Sequence, residues 1–383
     1  MLPLVPTLPV PDLPRLQIFI MGSDNHRRRW LHPTLYVANR SRCVLKLLML
    51  VVGAVYTARM LSNLPLPIIL EKPETRLSIV DVQAVIQQER DDRCKHDAYN
   101  INSTCGHGHC YAIVLTVNMG FYDFFLNWYH FYNQSVLQSI NTQNEVLLLV
   151  IAEDNEIYDE LIRLQLGKAQ IIRSNNKIQH SSRAENYESV GYKSLVSGRA
   201  AHLLSVLCGL KYQPTTNQSS SFGSNGWIVL YSDIDTVWLQ NPLPFIEAII
   251  TDPQQHLQYD ILAAVDHHNY GGVETYYCTG FLAIANTLVS FYFLSQWDDE
   301  LKTNPQLNQP IFNTMLQTDD KHPVQIRHAG LDEGLFPPGR LFFDDENKSK
   351  VLQESVVVHN NYIIGRENKK RRFKEYGLWK TST

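Results

Sequence analysis

The chain has 383 residues, with 34 Lys and Arg against 38 Asp and Glu, a formal net charge of −4 and 44% hydrophobic residues. That length holds one large domain plus an extension, and the balanced charge and ordinary apolar content exclude both a nucleic-acid binder and a disordered chain. Its six cysteines are too few for a disulfide-framed binding module in a chain that can build a large core.

The first elements are organised differently from the rest. Basic residues at His26-Arg27-Arg28-Arg29, Arg40 and Arg42 precede an apolar run from Leu47 to Tyr56. Residues 1–42 therefore read as a cytoplasmic tail and 43–64 as a transmembrane signal anchor, because positive charge on the N-terminal side keeps that end in the cytoplasm. Only 12 uncharged residues lie between Lys46 and Arg59, against the about 20 of a full span. Lys46 and Arg59 can extend their charged ends to the interfaces, which lets Val44 to Leu64 serve as the span. The rival is a signal peptide that is cleaved, which here requires a start at Met21. Either reading makes the remainder secretory.

Residues 65–108 read as a luminal stem, with prolines and a charged helical stretch around Val80 to Arg93. Cys94, Cys105, Cys110, Cys208 and Cys278 are then luminal and odd in number, so one stays free. Cys105 and Cys110 are near enough for a local bridge, with Cys94 as an alternative partner. His107 and His109 between them leave a zinc reading open, although the spacing is tighter than usual zinc frameworks. Sequons at Asn102, Asn133, Asn217 and Asn347 suit a lumen; the one at Asn39 is unused if it is cytoplasmic.

From 109 to 383 strands alternate with helices. Tyr111–Val117, Glu145–Ile151 and Ala169–Arg173 are β-rich apolar runs, and Phe121–Tyr132 and Tyr192–Leu207 read as helices. Gln213 to Gly226 reads as a surface loop, followed by strands at Ile228–Tyr231 and Asp260–Asp266 and a short one at Ser355–Val358. The alternation predicts an α/β layer fold around a mostly parallel sheet, in a single domain.

The strand ending at Tyr231 runs into Ser232-Asp233-Ile234-Asp235. Side chains alternate along an extended chain, so Asp233 and Asp235 share one face beyond the carboxyl end of the strand, where ligands of open sheets collect. Paired carboxylates suit Mn²⁺ or Mg²⁺, and those ions share their shell with substrate phosphates, which points to a nucleoside diphosphate. The competing reading is a turn cap at Asp233 and a solvated loop residue at Asp235.

The ordered set of motifs decides between them. Lys193-Ser194-Leu195, Arg199-Ala200-Ala201, Val229 through Leu239 with Asn241-Pro242, Cys278-Thr279-Gly280-Phe281, Asn308-Gln309-Pro310-Ile311-Phe312-Asn313, Phe336-Pro337-Pro338-Gly339 and Val358-His359-Asn360-Asn361 resemble the nucleotide-diphospho-sugar transferases grouped as glycosyltransferase family 77. The resemblance covers about residues 110 to 380. It implies a GT-A-like, Rossmann-like α/β domain and a metal-dependent, retaining transfer of one sugar from a nucleotide-sugar donor, a UDP-sugar, to a glycan or glycoprotein hydroxyl. The compartment it implies is the Golgi lumen, with the chain as a single-pass type II membrane glycoprotein.

In that pattern Asp235 is the more direct metal ligand, Asp233 binds the ribose or the metal through water, and His359 completes the shell. Outside the pattern His359 reads as a buried structural histidine. Asn118, Lys193, Arg199 and Gly280 fall at donor-binding positions, with turn, salt-bridge or packing roles as alternatives. Gln309 is placed with Asp233 and Asp235 as a catalytic residue. Two departures stand out: Cys278 before Thr-Gly-Phe, and Asn308 where an acidic residue is usual. Asn308 keeps open a protein that retains the fold to bind glycans or partners without turnover. Asp332 and Glu333 are further carboxylates available to the site, and the basic run Arg366 to Lys374 is either a solvated helix face or a phosphate-contacting tail.

Overall fold

A computed structural model describes residues 79–102, 110–139, 146–174, 182–185, 187, 189–210, 226–251, 257–270, 273–303, 307–318, 324–344 and 354–381. The expected cytoplasmic tail and anchor, the Cys105 to His109 loop, the 213–225 loop and the sequons at Asn39, Asn217 and Asn347 lie outside them. Among the described residues no helix is long and apolar enough to cross a membrane.

Seven strands form one sheet: β1 (Cys110–Val117), β2 (Val146–Ala152), β3 (Gln170–Arg173), β4 (Trp227–Ser232), β6 (Ile261–Tyr270), β7 (Val273–Ala285) and β8 (His328–Gly330). Their order is β3-β2-β1-β4-β7-β6-β8. Pairing is parallel from β3 through β4, antiparallel on both sides of β7, and parallel again between β6 and β8. Every strand except β7 therefore runs the same way, as the alternation of strands and helices predicts. A second, two-stranded sheet pairs β5 (Thr236–Trp238) with β9 (Val357–His359).

Both faces are covered because β1 is apolar on both sides up to Thr116. Ala112 and Val114 pack with Leu203, Leu207, Phe291 and Trp297 from α4 (Val190–Gly209) and α6 (Leu288–Thr303). Tyr111, Ile113 and Leu115 pack with Trp128 of α2 (Tyr122–Tyr132), Ile157 and Leu161 of α3 (Asn155–Leu164) and Ile246 of α5 (Leu243–Ile250). The α3 start is set locally: Asp154 caps it, accepting from Ile157 N at 2.9 Å and from Met119 N at 2.8 Å, a capping contact worth about 1 kcal/mol. A third apolar cluster joins Val237, Val358, Phe342 and Phe373, so the small sheet holds α8 (Gly339–Asp344) and α9 (Arg366–Glu375).

The charged helical stretch assigned to the stem forms α1 (Ile79–Asp97), and it docks. Ile86 joins the core beside α4 and α6, and Arg90 donates to Asn286 Oδ1 at 2.9 Å and Leu207 O at 3.2 Å. Cys94 is bonded to Cys208 on α4, 114 residues away, rather than to Cys105 or Cys110. Cys110 is also in a disulfide. Among the described residues Cys278 is free and buried.

Candidate active site

The site forms at the carboxyl edge of the sheet, where β4 ends and the chain turns through Asp233 and Asp235 into β5. Thr236 pairs with His359 across β5 and β9, so the small sheet carries the histidine to the acidic pair. Asp233 Oδ2 lies 3.8 Å and Asp235 Oδ1 3.3 Å from His359 Nε2. One ligand atom from each of the three residues lies within 4.8 Å of the others.

The remaining carboxylate oxygens are held by cationic side chains. Arg199 Nη2 sits 2.5 Å from Asp233 Oδ1, which also accepts from Tyr231 OH at 3.0 Å. Lys369 of α9 donates to Asp235 Oδ2. Each carboxylate thus spends one oxygen on a fixed cation and turns the other toward His359. Burial works to raise the Asp235 proton affinity, but Lys369 and His359 outweigh it and hold the carboxyl far below its usual range. Burial likewise disfavours charge on His359, yet Cys278 and Asp235 raise its proton affinity well above the ordinary value.

Gly280 closes the group from below. Its carbonyl accepts from Asp233 N at 2.7 Å, and a Cβ there would meet His359 Cε1 at 2.3 Å and Asp233 Oδ2 at 2.6 Å. Only glycine leaves the space between the three donors open. Two carboxylate oxygens and one imidazole nitrogen make a donor set that suits Mn²⁺ or Mg²⁺, so the residues fit the expected cation.

A cleft opens beside this group, lined by Asn118, Phe121, Tyr192, Arg199, Asp233 and Lys369 among others. Asn118 is buried after β1 and donates to Arg183 O at 3.0 Å. Arg199 is fixed further by Thr279 O at 2.8 Å and Thr279 Oγ1 at 2.7 Å. Lys193, half-buried six positions earlier on α4, does not line the cleft; at 100° per residue the two side chains leave the helix on different faces. Gln309, on α7 (Asn308–Gln317), accepts from Thr279 N at 3.2 Å and donates to Asp266 Oδ2 at 2.8 Å, which holds its amide beside Gly280.

Two comparisons with known proteins bear on this geometry. Residues 216–373 match the family model for nucleotide-diphospho-sugar transferases. An Arabidopsis thaliana UDP-D-xylose:L-fucose alpha-1,3-D-xylosyltransferase is 30% identical over 287 residues, covering 70% of this chain and 69% of the relative.

The chain belongs to the nucleotide-diphospho-sugar transferases.

It is a glycosyltransferase. More distantly, a Dictyostelium discoideum UDP-galactose:fucoside alpha-3-galactosyltransferase is 25% identical over 240 residues, covering 58% of this transferase and 34% of that protein. Among solved structures, the galactosyltransferase LgtC with donor and acceptor sugar analogs is similar at 12% identity and a TM-score of 0.39, covering 71% of this chain and 97% of that one.

Three residues noted in the sequence make contacts in the transferase site that no local signal assigns. Lys369 belongs to a basic run with two readings, and the fold divides it: Arg371 and Lys374 stand on an exposed face, whereas on the inner side Lys370 reaches Asp123 Oδ2 at 2.7 Å and Arg366 donates to Gly120 O at 2.8 Å. Cys278 Sγ lies 3.4 Å from His359 Nδ1, a contact between β7 and β9 with no local signal. Asn308 uses both ends of its amide, donating to Val196 O at 2.9 Å and accepting from Thr279 Oγ1 at 3.3 Å. The departure from an acidic residue therefore has a structural partner. Asp332 caps the turn at Gly334 and Leu335, and Glu333 pairs with His268, so neither joins the Asp233, Asp235 and His359 group.

Proposed function

We propose that the transferase uses Mn²⁺ or Mg²⁺ to move a single xylose or galactose from UDP to a hydroxyl of a fucose-containing glycan or glycoprotein, with retention at the sugar carbon. The observation that carries this reading is the convergence of Asp233 Oδ2, Asp235 Oδ1 and His359 Nε2 over the open Gly280. The names of the relatives from Arabidopsis thaliana and Dictyostelium discoideum support the choice of donors and of fucose.

Asp233, Asp235 and His359 would hold the cation, whose chemistry when bound is to offset negative charge on the departing diphosphate. Lys369 and Arg199 orient the two carboxylates and add positive charge on the cleft side. Asn118 and Arg199 border the space for the nucleotide. Gln309, whose carbonyl accepts from Thr279 N and whose amide donates to Asp266, is held next to Gly280, where it would border the transferred sugar. The basic N-terminal segment ahead of an apolar run supports a Golgi membrane anchor with this domain in the lumen.

The test is donor hydrolysis by the purified chain over UDP- and GDP-sugars with Mn²⁺ or EDTA, beside Asp235→Asn. The expected result is one UDP-sugar turned over only with metal and with Asp235 intact. A well-folded chain that binds no nucleoside diphosphate in the presence of metal overturns the proposal.

A further inference from the structure

The antiparallel strand β7 returns from a hairpin that projects past the carboxyl edge of the sheet, on the side of Gly280 away from the nucleotide cleft. Its pairing with β6 slips between Val265 and His267. Asp266 is the extra residue of that bulge, a device that re-aims a side chain. Its buried carboxylate accepts from Gln309 Nε2 at 2.8 Å and from Asn361 Nδ2 at 3.0 Å, which ties the hairpin to the site.

Above Asp266 the surface is aromatic. His267 and Tyr270 are stacked with ring centres 5.0 Å apart, Tyr276 meets Tyr270 edge-on at 5.3 Å, and Tyr362 meets His267 edge-on at 5.1 Å. Tyr270 and Tyr362 are 55% and 41% exposed. Tyr362 also has a φ of 59°, the left-handed region that costs a side-chain-bearing residue about 1–2 kcal/mol. The strain is maintained by its hydroxyl, which donates to Asp266 O at 2.9 Å and lies 2.6 Å from His267 Nε2. Arg340, donating to the same carbonyl at 3.0 Å, braces the shelf from the other side. Strained backbone holding a large ring in solvent is not explained by burial, and such outliers gather at ligand sites.

We infer that this shelf is the acceptor subsite, receiving a pyranose ring of the glycan acceptor against the faces of Tyr270 and Tyr362. This rests on the proposed glycosyl transfer. Carbohydrate is the occupant that fits: sugar rings present C–H faces to aromatic rings and hydroxyls to planar polar groups, and the shelf supplies aromatic faces beside Asp266, Arg340 and Gln309. Its position also meets the reaction's need: Asp266 ties the shelf to Gln309 and Asn361 beside the Asp233, Asp235 and His359 group, and retention requires the acceptor hydroxyl to reach the sugar carbon on the face from which the diphosphate leaves.

The experiment is saturation-transfer NMR on the full chain with Mn²⁺ and UDP, probing methyl α-L-fucoside, methyl β-D-galactoside and methyl β-D-xyloside. We expect at least one glycoside to bind, Tyr270→Ala and Tyr362→Asn each to weaken it about tenfold, and Tyr270→Phe to restore it. Asparagine accepts the left-handed backbone at 362, so its effect reports the lost ring and its hydroxyl contacts rather than a forced backbone. UDP affinity is read on the same samples. Binding that is unchanged in both variants, or no glycoside bound beside UDP, overturns the inference. Absence of UDP binding in the unaltered chain overturns the donor reading instead.

Discussion

The two halves of the sheet's carboxyl edge are built in opposite ways. On the β1, β2 and β4 side each strand stops at the edge, β1 and β2 handing over to a turn and a helix and β4 to the acidic turn, leaving a cleft walled by α4 and the residues after β1. On the β6 and β7 side the strands run on past the edge as a hairpin faced with His267, Tyr270 and Tyr276. The first half offers fixed charges and backbone turns that suit phosphate; the second offers exposed rings that suit sugar. Gly280 lies on the seam, because β7 is the one reversed strand and belongs to both.

The largest expected effect strikes the seam. Asp235→Asn removes the proposed direct ligand, and turnover should fall by about 10²–10³. Gly280→Ala should do comparable damage with all three ligands present, since its Cβ enters the space they face; Mn²⁺ titration of both variants checks this. Near-normal Mn²⁺ affinity in Gly280→Ala would break the view of that glycine as the seam.

The support of the donor half comes next. Cys94→Ser opens a disulfide that clamps α1 to α4, the helix carrying Arg199. Thermal and denaturant unfolding should show a loss of about 2–4 kcal/mol, with little change in the glycoside binding of the hairpin shelf. Equal losses at both ends would show that the two halves respond as one.

Smaller is Asn308→Asp, which places the family's usual acid in this chain. It leaves Val196 O without its donor and sets a carboxylate against it, so stability should fall by about 1–3 kcal/mol in chemical denaturation. A stabilised variant would show that the amide is not doing a structural job.

The smallest effect is a pH slope. His359 must be neutral before Nε2 can bind a cation, and in the folded protein Cys278 and Asp235 raise its proton affinity against the pull of burial. Protonation therefore competes with metal, and affinity for Mn²⁺ should weaken by up to about tenfold per unit as pH falls below that raised value. Calorimetry from pH 6 to 8 reads the slope; a flat profile would remove His359 from the shell.

How much of this was legible depends on the range of the interactions. The strands and helices around the acidic turn were readable because buried parallel strands are continuous apolar runs and α4 spans twenty residues. Strand β7 was not assigned: its first half is polar and aromatic, and only Cys278-Thr279-Gly280-Phe281 registered, as a motif. The helix α1 was legible as a helix but not as part of this body, since Ile86, Arg90 and Cys94 find their partners more than a hundred residues away.

The acidic pair just past a strand end, the apolar strand behind it and the ordered motifs are properties of neighbouring residues, and sequence alone determined them; the two carboxylates come together through a turn closed by Thr236 N to Asp233 O and not through the alternation of an extended chain. What only the tertiary structure decided is which distant groups meet that pair. Pairing of β5 with β9 delivers His359, the apolar cluster under α9 delivers Lys369, and the reversal of β7 delivers Gly280 and Cys278. A bulge, invisible in the residue pattern, turns Asp266 toward Gln309. Local periodicity encodes which way a side chain points; contact between segments over a hundred residues apart is set by how the whole sheet is ordered.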